Sequence, residues 1–249
     1  MNKPVFLAEG EQAYQIARVF DTPLVVRGDI SALPLSELAV FAYFFRRLNR
    51  QFPGLERHQR VVWSVRCALL LLGSEWCHNL AHAFVSARIR KPVDAIRVNF
   101  GMPLLIFFDP DDPQVKPAEH MLRSIGGPIF NILTLLPLLI LKNKSPEGTP
   151  DRFAARLAFD TNLFLSIAGL SPLPFLDGGP LLKWSLIQHG RSPQKAEQIV
   201  KQANGASALI FTLTALLAKK RGKGLLSILL ALLGISSLAI ALGWIEDAY

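Results

Sequence analysis

The sequence predicts a mainly α-helical, polytopic membrane protein with a small β-hairpin between its first two core spans. Three observations carry this. Hydrophobic residues make up 51% of the 249 and charged residues 18%, and the mean hydropathy is +0.31, too apolar for an ordinary soluble domain. The apolar residues are gathered into membrane-length runs, chiefly residues 61–88, 124–141 and 225–245. The net charge of +8 (pI about 9.8) is concentrated in short connections such as Lys219-Lys220-Arg221-Gly222-Lys223, which suits loops held at an anionic leaflet. With no basic patch outside these flanking turns, nucleic acid is excluded as a partner.

Taken in order, residues 1–60 form an N-terminal amphipathic and interfacial region. No signal-peptide pattern is present, because Glu9, Glu11 and Asp21 interrupt the start. Phe6, Ala13, Ile16, Ala17 and Phe20 recur at helical spacing and predict an amphipathic helix, with a short strand at Leu24-Val25-Val26. Residues 38–45 are apolar and end in Arg46, Arg47 and Arg50, which predicts an interfacial or re-entrant helix with snorkelling arginines. Residues 61–88 form the first span. Residues 93–108 alternate around Asn99-Phe100-Gly101 and read as the β-hairpin, followed by a solvated turn at residues 109–113. The second span, residues 124–141, has about 18 residues, just enough to cross. A third apolar segment, residues 157–170, runs into Ser171-Pro172-Leu173-Pro174, where two prolines must interrupt the helix. Residues 190–205 read as a polar connector. Residues 206–218 and 225–245 then complete a C-terminal two-helix hairpin, so the chain divides into 1–60, 61–190 and 191–249.

The chemistry centres on Glu75-Trp76-Cys77-His78-Asn79-Leu80-Ala81-His82. Histidines four apart project from one helix face, a spacing that suits two nitrogen ligands to one zinc ion. A polar cluster inside a membrane-length apolar run is costly and marks a site. Asn131, behind Gly126-Gly127-Pro128, puts a hydrogen-bonding amide at the same depth. Asp177 stands beside the proline break, where an acid needs a partner such as a metal, and is a candidate third ligand. Cys67 and Cys77, ten positions apart on one helix, cannot pair with each other; Cys77 reads better as a small buried hydrophobe than as a ligand.

Three elements in this order resemble the site-2 protease family of intramembrane zinc metalloproteases: His78-Asn79-Leu80-Ala81-His82, Gly127-Pro128-Ile129-Phe130-Asn131 and Leu176-Asp177-Gly178. The family carries His-Glu-x-x-His, Gly-Pro-x-x-Asn and Leu-Asp-Gly, and the resemblance covers residues 61–190. It implies that His78, His82 and Asp177 hold Zn2+, and that Gly127, Pro128 and Asn131 support the substrate backbone. It also implies a multi-pass protein of the cell membrane with its metal nearer the cytoplasmic face; basic residues on both sides leave orientation undecided. Gly169 stands where the family's proline motif usually begins with asparagine.

The second departure is Asn79, at the position of the family's general base. There a glutamate takes the proton of a zinc-polarised water and delivers it to the leaving amine, which an amide cannot do. Glu75, one turn back and roughly 6 Å away, is the candidate substitute. Three functions follow as alternatives: a catalytically impaired homologue that binds transmembrane protein clients, an active endopeptidase using Glu75 or zinc-hydroxide, and a non-peptidase scaffold or transporter. A transporter would favour repeated halves, which the sequence lacks.

Overall fold

A computed structural model of the chain describes residues 4–6 and 12–245. Glu9 and Glu11, which interrupt the start of the sequence, lie outside the described residues. The chain order is β1 (Pro4–Phe6), β2 (Gln12–Val19), β3 (Thr22–Arg27), a short 3-10 turn (Ile30–Ala32), α1 (Leu35–Gln51), α2 (Arg57–Arg88), β4 (Ala95–Asn99), β5 (Met102–Ile106), α3 (Pro117–Lys144), α4 (Pro150–Gly169), α5 (Gly178–Gln188), α6 (Pro193–Lys220) and α7 (Gly224–Leu242). The fold is mainly helical with one small sheet. The chain separates into two compact units, Met1–Pro110 with Gly126–Ile167 and Asp111–Ile125 with Ala168–Tyr249.

In the first unit the five strands lie in the order β1-β2-β3-β4-β5. The expected hairpin is β4–β5, turning at Phe100 and Gly101, both at positive φ. The sheet is larger than expected because the predicted amphipathic helix is instead β1 and β2; residues 7–11 of that expectation lie outside the described residues. A register shift between Gln15 and Ala17 inserts Ile16 as a bulge. This breaks the period-two alternation and leaves apolar residues at the 13, 16, 17 spacing of a helix. Phe20 and Asp21, both at positive φ, then form a two-residue turn into β3. β3 and β4 pair in parallel, and α1 and α2 lie in the long crossover connection that such a pair requires.

α2 begins with a capping box, Glu56 with Gln59, and runs for 32 residues. Its C-terminal half lies on the sheet through Ala83, Val93 and Ile96, with Leu24, Leu80 and Leu105 packed against them. Trp76 Nε1 donates to Gly101 O at 3.0 Å, tying the polar stretch of α2 to the hairpin turn. At the other end, Cys67 packs with Phe44 of α1 and Ala154 of α4. Cys67 is thus a buried hydrophobe, whereas Cys77 is exposed, against the expectation.

In the second unit, the break after α4 leaves the Pro172 carbonyl without a helical donor, and Asn204 Nδ2 of α6 supplies one at 2.7 Å. The expected polar connector at residues 190–205 is the first half of a single 28-residue helix, α6. Ser192 caps it by accepting from Lys195 N, and Pro193 takes the first helical position, so a start signal stood there in the sequence. α6 and α7 form the C-terminal hairpin. Among the described residues one helix, α3, is long and apolar enough to cross a membrane by length and composition, and 226–242 of α7 is a shorter apolar run.

Candidate metal centre

His78 and His82 are buried, and their ring centroids stand 4.8 Å apart with the planes near perpendicular. Their Nε2 atoms are separated by 3.2 Å. Two nitrogens on one tetrahedral zinc, each about 2.0–2.1 Å from the metal, lie about 3.3 Å apart. The pair is therefore spaced as ligands would be, without rearrangement of the helix.

The ring of His78 is oriented from α3. Its Nδ1–H donates to Asn131 Oδ1 at 2.5 Å, which leaves the Nε2 lone pair facing His82. Asn131, fully buried, donates in turn through Nδ2 to Asn162 Oδ1 of α4 at 2.7 Å. Asn162 donates to Ser74 Oγ at 3.0 Å and to Ala158 O at 2.9 Å, and Thr134 Oγ1 donates to Asn131 O at 2.7 Å. Three helices thus share one satisfied polar network around a single imidazole. Buried polar groups are tolerated only when so satisfied, and they then fix a unique geometry.

The path across His82 completes the pattern. Gly127 N–H approaches His82 Nδ1 at 3.4 Å, while the Nε2 of His82 faces that of His78. Gly127 is required by close approach: a methyl group there would lie 2.6 Å from His78 Nε2 and nearer still to His82 Nε2. Pro128 follows, buried within α3.

Asn79 lies beside this pair and is wired differently. Its Nδ2 donates to Glu75 O at 3.0 Å and to Glu75 Oε1 at 3.1 Å, both on its own helix. Glu75 is half-buried. The first unit therefore brings together His78, His82, Asn79, Glu75, Gly127, Pro128 and Asn131. Asn131 holds His78 with its carbonyl oxygen and Asn162 with its amide nitrogen.

Asp177 belongs to the second unit, immediately before α5, and its side chain does not cap that helix. Gly178 and Gly179 are both required there, because a Cβ on either would meet the backbone carbonyls of Leu170, Ser171 or Leu173. The Asp-Gly-Gly stretch is thus the place where α5 starts against the broken segment, and not a mere turn. His78, His82 and Asp177 offer two imidazole nitrogens and a carboxylate oxygen, a donor set of the kind that holds zinc.

Two groups went unread in the sequence. Asn162 is one, although an asparagine in an apolar run carries the same signal that singled out Asn131. Lys183 of α5 is the other. It is 1% exposed, and its Nζ donates to Asp111 Oδ2 at 2.7 Å and pairs with Glu197 Oε1 at 3.0 Å. Asp111 of the expected solvated turn is thereby half-exposed and ion-paired.

No protein-family model and no curated protein matches the chain. Among solved structures, a site-2 protease from Methanocaldococcus jannaschii is similar, with a TM-score of 0.50 and 16% sequence identity over 95% of this chain and 99% of that one. The likeness at this identity is one of fold. The chain therefore resembles the site-2 proteases in the fold of nearly its whole length as well as in three ordered motifs.

Proposed function

We propose that the chain is a membrane-embedded, site-2-protease-like zinc metallopeptidase homologue whose hydrolytic step is impaired, and that it binds transmembrane protein clients. One observation carries the reading: His78 and His82 present Nε2 atoms 3.2 Å apart, with His78 oriented by Asn131, while the adjacent base position holds Asn79. The two histidines stand as ligands of a zinc hydrolase would, and an amide stands where its proton acceptor would be.

In this reading His78, His82 and Asp177 hold Zn2+, with the metal nearer the cytoplasmic face of a multi-pass protein. Zinc there would polarise a water and a scissile carbonyl. The chain's own residues do the rest. Asn131 keeps the His78 tautomer that coordinates through Nε2, and Gly127 lets α3 reach the rings. Gly127, Pro128 and Asn131 line the approach for a client backbone. Asn79 donates hydrogen bonds and takes up no proton at neutral pH.

A second reading rests on the 3.1 Å bond from Asn79 to Glu75. The amide fixes the carboxylate in place, so that Glu75 serves as the base of an active endopeptidase, one turn from the usual position. Zinc content of the detergent-purified chain tests the common ground. About one zinc per chain, weakened or lost in Asp177→Ala, is expected. A wild type that stays metal-free after loading at neutral pH would remove the basis for both readings. Peptidase assay of the zinc-loaded protein then divides them: activity abolished by Glu75→Gln selects the second.

A further inference from the structure

The exposed face of α1 is organised along its length. At 100° per residue, Leu35, Ala39, Ala42, Arg46 and Arg50 fall on one stripe, opposite the buried Phe44 and Leu48. Leu38 and Tyr43 flank the stripe and are 61% and 41% exposed. Just before the helix, Ile30 and Leu33 are also exposed, at 67% and 50%. An open surface pocket of about 650 Å³ lies over the C-terminal part of the stripe, lined among others by Ala39, Ala42, Tyr43, Arg46, Arg47 and Arg50.

The arginines are arranged for an anion. None of the ion pairs among the described residues uses Arg46, Arg47 or Arg50. Arg47 is held in place: its Nη1 donates to Tyr43 Oη at 2.8 Å and its guanidinium lies 5.1 Å from the Phe153 ring centroid. Three guanidiniums within five residues, without a carboxylate, repel one another until an anion enters between them. Planar guanidiniums suit phosphate oxygens, which accept paired N–H donors.

The apolar half of the stripe says which anion. A free phosphate makes no use of exposed Leu35 and Leu38, whereas an acyl chain does. The spacing also fits. Ala42 is about 6 Å before Arg46 along the axis, and Leu38 about 12 Å. The headgroup layer of a bilayer is about 5–8 Å deep, half the difference between total and hydrocarbon thickness.

We propose that this face of α1 binds an anionic phospholipid, its phosphate between Arg46, Arg47 and Arg50 and its acyl chains along Leu38 and Leu35. The site rests on the chain's association with a membrane and is independent of any peptidase activity at His78.

The test is equilibrium binding of fluorescent phosphatidylglycerol to the full chain in nonionic detergent, beside phosphatidylcholine and inorganic phosphate. Phosphatidylglycerol is expected to bind at least about tenfold tighter than phosphatidylcholine. Arg46→Gln with Arg50→Gln is expected to weaken it roughly thirty-fold, about fivefold for each charge lost near a headgroup. Arg191→Gln, exposed and in the other unit, leaves it unchanged. Leu38→Ser, at an exposed site where folding is not at stake, weakens the lipid and spares phosphate. Equal binding of the two lipids, phosphate competing as well as phosphatidylglycerol, or full affinity in the double glutamine or Leu38→Ser variant would each overturn the proposal.

Discussion

His78 and Asn79 are neighbours on one helix turn, both buried, and their surroundings differ in kind. His78 is braced from outside its helix, through Asn131 of α3 and Asn162 of α4 back to Ser74. Asn79 is satisfied within α2, by the backbone oxygen and carboxylate of Glu75 one turn earlier. A group held by three helices has its position fixed by the tertiary fold; a group held by its own helix needs only the helix. The contrast makes the orientation of His78 a matter of the tertiary architecture and that of Asn79 a local one, open to change without disturbing the rest.

The largest effect expected is therefore at the local position. Restoring a carboxylate by Asn79→Glu, in the impaired reading, raises cleavage of a transmembrane substrate by about 10²–10⁴-fold, the usual contribution of a general base. Because the new carboxylate would stand one turn from that of Glu75, the double variant with Glu75→Gln is expected to be at least as active. Cleavage measured on reconstituted substrate decides it. Unchanged cleavage in both variants would break the link between Asn79 and the missing step.

The braced position is tested through metal affinity. Asn131→Ala removes the acceptor that fixes the His78 tautomer, and such loss commonly costs about 10–100-fold in metal affinity. Asn79→Ala removes only a bond within α2 and is expected to leave the zinc dissociation constant within about twofold. Competitive chelator titration separates them, and equal losses in both would erase the contrast.

One step further from the metal, Asn162→Ala leaves the Asn131 amide nitrogen without its acceptor and Ser74 without its donor. The expected cost is about 1–3 kcal/mol of stability, the price of a buried polar group left unsatisfied. The melting temperature in detergent reports it. Loss of metal affinity should accompany the destabilisation, because Asn131 is then free to turn. A destabilised variant with unaltered zinc affinity would show that the brace on His78 ends at Asn131.

The same distinction between local and tertiary explains how much the sequence told. Helices α2, α3 and α7, the β4–β5 hairpin, the proline break and the order of the site residues were legible because each is written in one contiguous stretch. His78 and His82 share a helix face by spacing alone. What stayed hidden depends on partners distant in sequence. Asn162 stands out as an amide in an apolar run, but its role as a brace shows only opposite Asn131 and Ser74, 31 and 88 positions away. Lys183 is intelligible once Asp111 and Glu197 surround it. The first strands misled for a different reason: the Ile16 bulge made a strand imitate a helical period, and the turn at Phe20-Asp21 lacks the glycine or asparagine that announces such turns.

The smallest effect is expected where satisfaction is local and exposed together. Asp29, before the 3-10 turn, accepts from the Ser31 hydroxyl and backbone N–H, and these bonds, with Arg27 nearby, hold its carboxyl below the usual 3.8. A depressed folded pKa means stabilisation that is present above the unfolded value and lost as pH falls through the folded one. Asp29 is exposed, so water screens the contribution. Asp29→Asn should therefore lower the melting temperature slightly at pH 7 and leave no difference from wild type near pH 2. Melting curves over that range check the sign. A penalty that persisted in acid would mean that the cap acts through its shape and not its charge, and that local satisfaction here resembles Asn79 more closely than an ionic bond.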